Sequence, residues 1–216
     1  MLNNFLEYFG FVRICVLITF FNSIFFLKLK QINNTLLLII VSVSMLTEII
    51  CTILTNLNKS IVLAYSISFL VHNALWLFMI SKDIMIKKAT RTFLVAFIVF
   101  SLINMFFIEG VENLNNNIFI VGAFLYLIMF IYESFYQLKK ENFSYFLSNH
   151  YLLLFSPILF FFGLSFAFAF KSRLLLYTVV MADIELYYFI GYFVNFIYYT
   201  LINIYIYREK KLKHAG

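Results

Sequence analysis

The chain has 216 residues, 64% of them apolar and 12% charged, with 30 phenylalanines. A soluble domain keeps about a quarter of its residues charged, so this composition excludes a water-soluble globule and makes lipid the solvent. The net charge of +6 sits at the ends of apolar runs rather than in a patch interleaved with exposed aromatics, which excludes a nucleic-acid interface.

Apolar runs of about twenty residues, the length that crosses ~30 Å of hydrocarbon, alternate with short polar breaks. They predict spanning helices near 5–27, 35–57, 61–81, 92–108, 118–138, 151–170 and 185–207. Barrel strands would alternate in ~10-residue segments; these runs are continuous. The expected fold class is therefore all-α, a polytopic transmembrane bundle of about seven spans forming one integral membrane domain over 1–216. The first run follows no basic segment and ends at Lys28 and Lys30 without a small-residue cleavage site, so it is expected to stay as a span. In span six, Ser156-Pro157 is expected to bend the helix and leave a carbonyl without its donor. The last stretch, 174–207, would be ~51 Å long as one helix. Residues 174–184 are thus expected to be an amphipathic or loosely helical connector at the outer surface, with a re-entrant element as the alternative.

Orientation follows from the short connections, where Lys and Arg stay on the cytoplasmic side. With the N-terminus outside, twelve basic residues lie inside: Lys28, Lys30, Lys82, Lys87, Lys88, Arg91, Lys139, Lys140, Arg208, Lys210, Lys211 and Lys213. The outer connections hold three, Lys59, Lys171 and Arg173, and the loop between spans four and five is acidic, with Glu109 and Glu112 beside Asn115-Asn116-Asn117. The C-terminus is therefore expected in the cytoplasm. Asp183 and Glu185 are expected at the outer mouth, ending the connector.

Charged groups inside a bilayer cost roughly 2.5 to 3.5 kcal/mol each on insertion scales, so each needs a partner or a function. Arg13, Glu48, His72 and Glu133 are the ones here. At 1.5 Å per residue, Arg13, Glu48 and His72 lie about 12 to 16 Å from the outer ends of their spans and Asn195 about 15 Å. Helical spacing extends each into a stripe. Span two carries Ser44, Glu48, Cys51 and Thr55 with Thr47 and Thr52 beside them; span three carries Tyr65, Ser68, His72 and Trp76; span seven carries Tyr188, Tyr192, Asn195 and Tyr199. The simplest arrangement is a polar interior among spans one, two, three and seven, with Arg13 and Glu48 paired directly or through His72. That layer reads either as a salt bridge with hydrogen bonds that glue helices together or as a pocket for a ligand, proton or substrate. Glu133, near the inner end of span five, is expected to reach Lys139 or Lys140.

Several chemistries are excluded. No Lys lies mid-span for a retinal Schiff base, and His72 is the one intramembrane histidine, too few for a zinc hydrolase or paired haem ligation. No Gly-x-Ser-x-Gly stands here for an intramembrane serine protease. Cys15 and Cys51 are too far apart for a CxxC and read as small core residues. Neither metal nor cofactor is expected.

The Glu in Met45-Leu46-Thr47-Glu48-Ile49-Ile50, the Asn-rich turn before Tyr65, the aromatic span six and Asn195 in the last span resemble a group of small seven-helix membrane proteins of Bacteroidota-type bacteria. The resemblance covers most of the chain and implies a bacterial inner membrane, and it implies no particular activity. The leading expectation is a non-enzymatic sensor, accessory or effector module acting through lipid, a small ligand or a cytoplasmic protein docked on the basic inner face. Two others stand beside it. One is a small-molecule or ion/proton-coupled transporter using Arg13, Glu48, His72 and Asn195, and the other a lipid-modifying enzyme with Glu48 or His72 as general base.

Overall fold

A computed structural model of the chain describes residues 2–82, 87–170, 174–181 and 184–214. Its elements in chain order are α1 (Leu2–Phe26), α2 (Ile32–Asn56), α3 (Val62–Ser81), α4 (Lys87–Ile103) continued by a π-helical turn (Asn104–Ile108), and α5 (Asn116–Lys139). Then come a short α6 (Phe143–Leu147), α7 (Asn149–Phe155), α8 (Ile158–Ala169), a 3-10 turn (Leu174–Tyr177), β1 (Val179–Met181), β2 (Ile184–Glu185) and the long α9 (Leu186–His214). Six stretches are long and apolar enough to cross a membrane: Ile32–Asn56, Val62–Ser81, Thr90–Ile108, Asn116–Lys139, Asn149–Ala169 and Leu186–Lys211, with Gly10–Phe26 a shorter apolar helix. Large apolar side chains stay exposed along them, Phe107 to 83%, as expected where lipid, not water, covers the surface.

The helices run long because Gly and Pro are nearly absent from their interiors, and α2 and α5 stop where the backbone turns left-handed. Asn58 and Glu141 both have φ of 54°. After Asn58 the Lys59 N–H reaches back to Leu54 O at 2.8 Å, and after Glu141 the Asn142 N–H reaches Gln137 O at 3.0 Å. This six-residue return bond satisfies the last carbonyls of α2 and α5.

The chain divides into two compact units, residues 29–143 and residues 1–28 with 144–216. In the first, α3 is central: α2, α4 and α5 all pack on it. The seam between α3 and α5 is built from edge-to-face rings, Phe69 on Phe119 at 5.1 Å and Trp76 on Tyr126 at 5.9 Å, a favoured aromatic geometry. In the second unit α9 is central, with α1, α7 and α8 against it, and Phe160 stacks on Tyr198 at 4.7 Å.

Two expectations are refined. The helical part of the connector 174–184 is limited to a 3-10 turn, and the described residues after it pair as a two-stranded antiparallel ribbon with Val179 opposite Glu185 and Met181 opposite Ile184, because a Val-Val-Met run favours extended backbone. Lys171, Arg173 and Asp183 of that region lie outside the described residues. Span six is indeed interrupted at Ser156-Pro157, but the freed carbonyl is bonded. Pro157 lacks the N–H that would serve Leu153 O four residues back, and the Ser156 hydroxyl donates to that oxygen at 2.8 Å.

Candidate functional site

In unit 29–143 the two stripes expected on α2 and α3 meet at Thr47 and Ser68. The Thr47 and Ser68 hydroxyls are bonded at 3.0 Å. Glu48 and His72, on the same two helices, are each 7% exposed. The other hydroxyls of the α2 stripe bond their own helix: Ser44 to Ile40 O at 3.2 Å, Thr52 to Glu48 O at 2.6 Å and Thr55 to Cys51 O at 2.8 Å. Such back-bonding satisfies a hydroxyl in lipid without a partner helix. Tyr65 is half-buried and Trp76 fully buried, with the His72 and Trp76 rings 6.5 Å apart.

A second polar face of α3, one step round from His72, was not anticipated. Ser66 and Asn73 are fully buried there, on the side that carries Phe69 and Trp76 against α5. Ser66 belongs to a cluster at the far end of the unit from Lys82. The Asn115 side chain donates to Ser66 Oγ at 3.2 Å and to Gly110 O at 3.0 Å, and its Oδ1 accepts from Asn104 Nδ2 at 2.9 Å. Asn104 Nδ2 also donates to the Glu109 carboxylate, and that carboxylate receives the Asn117 N–H at 3.2 Å. Glu109 therefore caps the first turn of α5, where free N–H groups and the helix dipole favour an anion. The π-helical turn begins at Asn104, and such turns often mark functional positions. Gly110, with φ of 79°, makes the bend that lets its carbonyl face Asn115. Deeper along the seam, Asn73 lies against Gly122 and makes no hydrogen bond among the described residues.

At the other end of this unit Glu133 is 2% exposed and accepts from Gln137 Nε2 at 2.7 Å. The expectation that it reaches Lys139 or Lys140 is corrected: Lys139 is exposed and Lys140 Nζ lies 4.4 Å over the Tyr136 ring. A ring one helical turn away is nearer to an interfacial ammonium than a carboxylate on the buried face.

Arg13, Tyr192 and Asn195 belong to the other unit. Phe11 meets Tyr192 edge-to-face at 5.6 Å, and Asn22 donates to Asn203 at 2.8 Å, so α1 and α9 run parallel. This register puts Arg13, half-buried, within one turn of Asn195, which is buried and donates to Gly191 O at 2.9 Å. Further side-chain bonds join these helices beyond this level. Asn203 Nδ2 donates to Thr19 Oγ1 at 2.7 Å and to Tyr199 O at 2.7 Å, while Thr19 donates to Cys15 O at 2.8 Å. Asn203 continues the Tyr188, Tyr192, Asn195, Tyr199 stripe by one turn, which is the signal that would have found it. Cys15 and Cys51 are free thiols, one in each unit. Among the described residues no three His, Cys, Asp or Glu side chains gather as metal ligands.

No family model, curated protein or solved structure matches the chain.

Proposed function

We propose that the protein crosses a bacterial inner membrane seven times, with its N-terminus outside and its basic tail in the cytoplasm, and works as a non-enzymatic sensor, accessory or effector module. It acts through lipid, a small ligand or a protein docked on its basic face. One observation carries this reading: in each unit a cluster of buried amides and hydroxyls is spent on binding the helices. Asn115 joins Asn104 and Ser66 in one unit, with Asn104 bonded on to Glu109, and Asn203 joins Asn22 and Thr19 in the other. Groups bonded in this way hold a shape and are not poised to attack a substrate. Purification in mild detergent tests it. A stoichiometric lipid or an acidic cytoplasmic protein recovered with the chain supports the module; a bare monomer that retains neither rejects it.

A second reading, proton-coupled transport, draws on Glu48 and His72, which are both buried on adjacent helices bridged by Thr47 and Ser68. A carboxyl and an imidazole at similar depth can exchange a proton. In liposomes, a pH-driven flux lost in Glu48→Gln supports it, and a flux indifferent to pH and to that change rejects it.

A further inference from the structure

At the basic end of the unit that contains α7 and α9, a half-open groove of about 230 Å³ is lined by Phe146, Ser148, Tyr151, Leu152, Phe155 and Arg208. The Asn149 amide fixes its edge. It donates to the Glu209 carboxylate at 2.6 Å and so ties α7 to α9. Ser148 is occupied at the start of α7, accepting from Tyr151 N–H and donating to Tyr145 O at 2.6 Å, and adds no charge. Leu147 also lines the groove and is 83% exposed.

The basic residues around the groove differ in what holds them. Lys210 Nζ lies 4.0 Å over the Phe26 ring and Lys211 Nζ 4.9 Å over the Tyr207 ring. Arg208 is exposed and makes no hydrogen bond, ion pair or ring contact among the described residues. Its nearest acidic neighbour in sequence, Glu209, is turned one position round the helix toward Asn149. The groove thus offers an aromatic and aliphatic wall with an uncommitted guanidinium at its rim.

We propose that this groove binds one anionic phospholipid of the leaflet it faces, with the phosphate on Arg208 and the first acyl segment along Tyr151, Leu152 and Phe155. A guanidinium presents paired donors that match a phosphate, and basic residues at an anionic surface add attraction. The wall is the partly exposed face of α7 itself, so in the membrane reading an acyl chain enters without leaving the bilayer. A free phosphate would meet one cation beside apolar rings. The proposal rests on the reading of the chain as a membrane protein whose basic end lies in the anionic leaflet. Its readout is the headgroup-selective binding of added lipid by the delipidated protein, separate from whatever lipid or partner is recovered with the chain on purification.

Native mass spectrometry of delipidated full-length protein, titrated with phosphatidylglycerol or phosphatidylcholine, tests it. One phosphatidylglycerol should bind in preference, and Arg208→Gln should weaken it roughly five- to tenfold while Lys211→Gln, whose cation is stacked on Tyr207, leaves it largely intact. Leu152→Trp, which fills the groove but keeps Arg208, should weaken binding of phosphatidylglycerol as well. Equal binding of both lipids, retention in Arg208→Gln or in Leu152→Trp, or displacement by millimolar inorganic phosphate overturns the proposal, the last by pointing to a free-anion site.

Discussion

Asn115 illustrates how one amide serves an entire helix end. Its side chain reaches Ser66 on α3, the Gly110 and Asn113 carbonyls of the loop, and the Asn104 amide at the π-helical turn. Replacing it with Ala strands buried groups on two elements at once, and each such group costs roughly 1–3 kcal/mol. Asn115→Ala is therefore expected to lower stability by about 2–3 kcal/mol. Ser66→Ala removes one hydroxyl from the same cluster and is expected to lose about 1 kcal/mol. Thermal unfolding of both in one detergent checks this, and a Ser66→Ala loss as large as that of Asn115→Ala would mean that Asn115 is not the hub.

At the scale of elements, two glycines set how closely helices approach, and their neighbours answer differently. A methyl at Gly163 on α8 would strike Val194 Cγ1 on α9, while the next atoms, Val194 Cβ and Ile190 Cγ2, stand 3.5 and 3.6 Å away in ordinary contact. A methyl at Gly122 on α5 would meet Asn73 Cγ at 2.7 Å and Asn73 Cβ at 2.8 Å. Both Ala substitutions are expected to lose about 1–3 kcal/mol from overpacking. The Val194→Ala background should remove most of the Gly163→Ala cost, because the striking atom is gone. The Asn73→Ala background should relieve Gly122→Ala only in part, because the Cβ that blocks the new methyl is still there. Unfolding midpoints of the four single variants and two doubles read the coupling; full rescue at Gly122 would show that the α3–α5 seam can open.

At the scale of the whole molecule the open quantity is the number of crossings. Seven crossings put the two termini on opposite sides of the membrane and six put them on the same side. Twelve basic residues in the connections and tail against three bias the basic tail to the cytoplasm. In sealed inside-out vesicles a C-terminal tag should be digested by added protease while an N-terminal tag survives, and digestion of both would show an even count.

Composition and run length alone determined that the chain is a bundle of apolar helices. Lipid leaves a long apolar segment no alternative that satisfies its backbone, and that constraint needs no knowledge of neighbours. The break at Ser156-Pro157 was legible for the same local reason. What the sequence did not decide is which faces meet. Counting by helical period from His72 selects Tyr65, Ser68 and Trp76 and passes over Ser66 and Asn73, one step round the same helix, although those two are fully buried. Asn115, in the run Asn115-Asn116-Asn117, reads as loop polarity until folding sets it against the Gly110 carbonyl and Ser66, and Asn104 is passed over inside an apolar run. The asparagine of α9 that bonds Thr19, and the arginine that has no partner among the described residues beside an aromatic groove, were settled by tertiary structure, because each depends on which side chain a packed neighbour has already taken.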